Sequence, residues 1–125
     1  MKTVLLVFDD SRELDFISAG LKESNFNVHV AQGLKNAILA AERIIPDLIV
    51  VNTQDKKEDL RNFNSQVKTE RLKNASVISF IELEDYLKKP GNTHFVIKPV
   101  RPKLLLSLIR SVMNHETIDW LPAYR

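Results

Sequence analysis

Asp9 and Asp10 stand side by side at the end of one apolar run, and Lys98, followed by Pro99, stands at the end of another. Two adjacent carboxylates either close a solvated turn at the head of a helix, where the dipole favours negative charge, or form an acidic pocket. A pocket of that kind needs a counter-charge, and Lys98 is either that counter-charge or a site lysine in its own right. Two more apolar runs end in Asn52 and Ile81, which bring an amide and a hydrocarbon. Other chemistries have fewer materials. The chain has no Cys, so thiol catalysis, disulfides and thiolate metal sites are excluded. Its three histidines, His29, His94 and His115, are scattered and suggest no metal cluster. Asp55, Lys56, Lys57, Glu58 and Asp59 form a mixed-charge run of the sort that usually makes a wet loop.

The elements that must carry these residues follow from the spacing of apolar positions. Thr3 to Phe8 is a continuous Val- and Leu-rich run, the pattern of a strand covered on both faces. Ser11 can cap a helix with Leu14, Ile17 and Leu21 on one face, ending near Asn25. Phe26 to Ala31 reads as a second strand with Val28 and Val30 on one face. Gly33 breaks the chain, and Leu34, Ala37, Ile38 and Ala41 make a helical stripe that stops before Pro46. Asp47 to Val51 is a third strand, and Leu60, Phe63 and Val67 mark a helix within residues 58–72. Ser76 to Ile81 is a fourth strand, Leu83 to Lys88 at most a short helix, and His94 to Ile97 a fifth strand. Pro102 suits the first turn of a last helix whose core face is Leu105, Leu108, Ile109 and Val112. His115 falls where the end of that helix welcomes a cation.

Alternation of strands and helices predicts right-handed crossovers and a doubly wound α/β sheet of five parallel strands. Ligands of such sheets sit at the carboxyl ends of the strands, where Asp9, Asp10, Asn52, Ile81 and Lys98 all fall. With 125 residues, 44% hydrophobic content and a net charge of +2, the chain suits one compact domain over residues 1–115 with a tail at 116–125. No long block of one charge points to direct nucleic-acid or membrane binding. The first residues lack the pattern of a signal peptide or a membrane span, so a cytoplasmic protein is expected.

Val4 to Asp10, the approach Pro46-Asp47-Leu48-Ile49-Val50-Val51 to Asn52, and Gly91 leading to Lys98-Pro99 resemble the receiver domain of two-component response regulators. The resemblance covers residues 2–115, and its strength lies in the order and spacing of the fragments. It implies the flavodoxin-like receiver fold of the chemotaxis regulators and a place in phosphorelay signalling. In that family an acid pair after the first strand holds Mg²⁺, an Asp ending the third strand takes a phosphoryl group, a Thr or Ser ending the fourth senses it, and a Lys before Pro pairs with it. Hard oxygens, a carboxylate nucleophile and cationic and hydroxyl partners suit those tasks. Asp9 and Asp10 match the acid pair and Lys98 the lysine. Asn52 occupies the phosphoacceptor position and Ile81 the hydroxyl position.

An amide is no nucleophile for phosphoryl transfer, so Asn52 should abolish the usual aspartyl phosphate. Losing a unit charge near 4 Å also removes about 4 kcal/mol of gross attraction per cation charge at an effective dielectric of 20, before hydration offsets most of it. Ile81 is an independent loss, because a hydrocarbon cannot hydrogen-bond a phosphoryl oxygen. Phe95 matches the family's activation-reporting aromatic, and without a hydroxyl at Ile81 it is expected to be a fixed packing residue. The stretch from Ile81 to Gly91 is short for the family, which implies a shortened fourth helix and a remodelled output surface.

In the last helix Leu104, Leu105, Leu106, Leu108, Ile109, Val112 and Met113 cover more than half of the circumference, wider than one core stripe needs. The excess implies a contact with the tail through Trp120 or Leu121, or a dimer or partner interface that includes Leu106, Met113 and Trp120. The leading expectation is a phosphorylation-independent pseudo-receiver, a signalling domain and not an enzyme, whose partner is another protein or a second copy of itself. It needs no cofactor, and any Mg²⁺ at Asp9 and Asp10 would be weakly held. The alternative is a divergent receiver still phosphorylated through Asp9, Asp10 or Asp55 with Mg²⁺. A lesser one is a flavodoxin-like cofactor binder, disfavoured because two like charges stand where a phosphate cradle would need Gly, Ser or Thr.

Overall fold

The computed structural model describes residues 2–9, 11–53, 57–69, 72, 74–81, 94–97 and 102–113. Its elements in chain order are β1 (Thr3–Phe8), α1 (Ser11–Glu23), β2 (Asn27–Ala31), α2 (Leu34–Ile44), β3 (Leu48–Asn52), α3 (Lys57–Val67), β4 (Ser76–Ile81), β5 (His94–Ile97) and α4 (Pro102–Met113). The strands form one parallel sheet in the order β2-β1-β3-β4-β5. This is the α/β, flavodoxin-like arrangement that the alternating pattern implies.

β1 and β3 are covered on both sides, which is why they carry unbroken apolar runs rather than alternating ones. One face of the sheet, with Val4, Leu6, Phe8, Leu48, Val50 and Ile78, packs against Ile17 and Leu21 of α1 and the apolar side of α4. The other, with Leu5, Val7, Ile49 and Val51, packs against Ala37 and Ala41 of α2 and Phe63 and Val67 of α3. Burying a side chain the size of Leu or Phe stabilises the fold by about 1.5–3 kcal/mol relative to leaving it in water. At the amino ends of the strands Asp47 joins three of them: its Oδ2 accepts from the Thr3 N–H at 2.7 Å, its N–H donates to the Thr3 carbonyl at 2.8 Å, and its carbonyl accepts from the Ser76 N–H at 3.0 Å.

Backbone punctuation agrees with the sequence at Gly33, which precedes α2 with φ +82°. Less expected is Ile45, a β-branched residue in the left-handed region at φ +48°, where its N–H donates to the Ala41 carbonyl at 2.9 Å and ends α2. Several details differ from the pattern reading or qualify it. β3 runs to Asn52 and so includes the residue expected to follow it. α3 stops at Val67, well short of residue 72, although Leu72 is still buried beyond it. Val30 is 47% exposed, because β2 is the edge of the sheet and its outer end has less cover than Val28, which packs on the α1 side.

The expectation of an accessible apolar flank on the last helix needs correction. Leu106 and Met113 are 8% and 4% exposed and belong to the core on the α1 side. For Leu106 the physical reason is the close approach of α1, where Gly20 has no side chain and Leu106 fills the space. The wide apolar arc of α4 therefore serves two contacts within the chain, one with the sheet and one with α1. The shortened fourth helix expected at residues 83–88 and the tail with Trp120 lie outside the described residues, as do Asp10, Asp55, Lys98 and Pro99.

Candidate functional site at the carboxyl ends of β1 and β3

The parallel register brings Phe8 of β1 opposite Asn52 of β3, so both strands end at one level. Past that pair the Asp9 N–H donates to the Asn52 carbonyl at 3.4 Å. The backbone thus places Asp9, exposed to solvent, beside the half-buried Asn52. Asn52 shares the strand phase of Leu48 and Val50, which face the α1 side of the sheet. Its side chain meets the first turn of α1, where its Nδ2 donates to Glu13 Oε2 at 3.4 Å in a partly buried setting.

Glu13 is the member of this site that pattern reading missed. It stands in the first turn of α1, where an acidic side chain is already favoured by the helix dipole, so nothing in the sequence separates it from an ordinary helix-start residue. Its closeness to Asn52 depends on how the turn after β1 sets the head of α1 beside the end of β3, which no local spacing reveals. Asp9, Glu13 and Asn52 together put two carboxylates and an amide at the strand ends. Ile81 ends β4 and pairs in register with Ile97, the last residue of β5, so the structure brings those positions to the same edge of the sheet. The backbone of Phe95 pairs with Ser79, two steps below that edge.

The donor set bears on Mg²⁺, which the receiver resemblance implies. Among the described residues no group of three or more His, Asp or Glu side chains is placed to hold a metal ion. The position that should bring a third carboxylate brings an amide already engaged by Glu13. The described residues therefore do not complete a Mg²⁺ site. Nor does any helix of the described residues have the length and apolarity to cross a membrane.

No family model matches the sequence, and no curated protein matches it. Solved structures do match by fold. The chemotaxis response regulator CheY4 of Vibrio cholerae superposes with a TM-score of 0.75 at 22% identity, over 90% of this chain and 98% of that one. A response regulator from Desulfuromonas acetoxidans gives 0.74 at 21% identity, over 92% and 98%. The signal receiver domain of a signal transduction histidine kinase from Syntrophus aciditrophicus gives 0.75 at 18% identity, over 95% and 96%. The chain has the fold of response-regulator receiver domains.

Proposed function

We propose that this chain is a phosphorylation-independent receiver-type signalling module, not an enzyme, that acts in the cytoplasm by binding a protein partner or a second copy of itself. The observation that carries this reading is Asn52, an amide at the carboxyl end of β3 and hydrogen-bonded to Glu13. Forming an acyl phosphate requires a carboxylate oxygen as nucleophile, and an amide offers neither that charge nor that reactivity. A second support is the residue type at the end of β4, where Ile81 offers no hydroxyl to answer a phosphoryl oxygen. A receiver fold without this chemistry keeps its surface as the means of signalling. Burial of Leu106 and Met113 removes them from that surface, so the partner must dock elsewhere.

Incubation with acetyl phosphate and Mg²⁺ followed by intact-mass measurement tests the proposal. The mass is expected to stay unchanged. A hydroxylamine-labile gain of one phosphoryl group would overturn the reading and favour phosphorylation through Asp9, Asp10 or Asp55.

A further inference from the structure

Asn52 differs from a lost carboxylate in one respect: its amide is in use. A carboxylate at that position would have no N–H to give, and Glu13 Oε2 lies 3.4 Å from the atom that gives it. From this geometry we infer that Glu13 is the positioning residue of the strand-end site, fixing the end of β3 for an amide and against a carboxylate. The negative charge missing from β3 is supplied instead from α1. The hydrogen bond also ties the first turn of α1 to the end of β3. Residue 52 and residue 13 then form a matched pair, and replacement of the strand residue alone by Asp opposes two like charges in a partly buried site.

The inference rests on the reading of Asn52 given above, but its test is separate, since it uses no phosphoryl donor. The experiment is a thermal-unfolding cycle of the full chain in EDTA with wild type, Glu13→Gln, Asn52→Asp and the double variant. Gln keeps an oxygen to accept from Asn52 and removes the charge. Loss of the dipole interaction at the head of α1 affects both backgrounds alike and cancels in the cycle. Glu13→Gln is expected to change the midpoint little in the wild type, whereas Asn52→Asp lowers it by about 5 °C or more and Glu13→Gln restores most of that loss. An Asn52→Asp chain that fails to fold alone but folds with Glu13→Gln counts the same way. An Asn52→Asp single variant as stable as wild type, equal effects of Glu13→Gln in both backgrounds, or failure of the Asn52→Asp chain to fold both with and without Glu13→Gln would overturn the inference. A second measurement uses only chains with the native Asn52. The side-chain amide resonances of Asn52 are expected to shift on Glu13→Ala and much less on Glu13→Gln, and insensitivity to both overturns the pairing. Uptake of phosphoryl by the wild type would sink the proposed function while leaving this cycle to stand or fall by itself.

Discussion

Leu106 of α4 fills the gap that Gly20 leaves on α1: a Cβ built on Gly20 would stand 2.6 Å from Leu106 Cδ1 and 3.0 Å from its Cδ2. Two effects of Gly20→Ala therefore compete. Helix propensity favours Ala by about 1 kcal/mol, whereas overpacking costs about 1–3 kcal/mol. The struck atoms are the mobile end of a leucine, but Leu106 is buried and has little room to turn. Gly20→Ala is expected to lower stability by about 1 kcal/mol in urea unfolding, and Leu106→Ala in the same chain should reverse the sign of its effect. A stabilising Gly20→Ala in the wild-type background would show that the helices have slack at this point.

Leu106→Glu tests burial against the accessible flank that the sequence suggests. A charge placed at a position 8% exposed must be desolvated or must disrupt α4, so the variant should lose about 3 kcal/mol or more or fail to fold. An interface residue would instead leave the circular dichroism and the unfolding midpoint of the isolated chain nearly unchanged.

Ile45 offers a gain rather than a loss. A left-handed conformation costs a residue with a Cβ about 1–2 kcal/mol, and the following Pro46 further restricts the backbone. Because Ile45 is 45% exposed, little burial is forfeited by trimming it. Ile45→Gly should stabilise by about 0.5–1 kcal/mol after the entropy of glycine in the unfolded chain is subtracted, and Ile45→Asn by a similar amount. A lower melting temperature for both variants would refute the strain.

Asp47→Ala removes the carboxylate that accepts from Thr3 at 2.7 Å while leaving both backbone bonds of residue 47 in place. The site is exposed and water can replace the lost acceptor, so the loss should be about 1 kcal/mol, with Asp47→Asn less harmful. Hydrogen exchange at the Thr3 amide is expected to speed up in the Ala variant and to stay slower in Asn.

Much of the architecture is legible in residue patterns because each element answers to a short-range rule. Unbroken runs such as Thr3–Phe8 occur where both faces of a strand are covered, and the stripe Leu105, Leu108, Ile109, Val112 repeats at the helical period. The strand-end site is half legible for the same reason: Asp9 and Asn52 each close an apolar run, so strand pairing alone brings them together. Glu13 is hidden because its partner lies far along the chain and the contact depends on how the head of α1 is set beside the end of β3. The burial of Leu106 and Met113 is hidden likewise. An apolar arc looks the same whether its excess meets a foreign protein or a neighbouring helix, and for Leu106 the Gly20 contact decides between them.

The two sides of the sheet do not become available at the same time to a chain emerging from a ribosome. Among the described residues, the core on the α2 and α3 side is made from residues no later than Val77, whereas the core on the α1 side needs Leu105, Leu108, Ile109 and Val112 of α4. During synthesis Val4, Leu6 and Phe8 emerge well before α4, and they wait for that helix before their cover is complete. Until then a nascent chain presents a half-clad sheet, an adhesive surface that a chaperone can shield and a premature stop codon would make permanent.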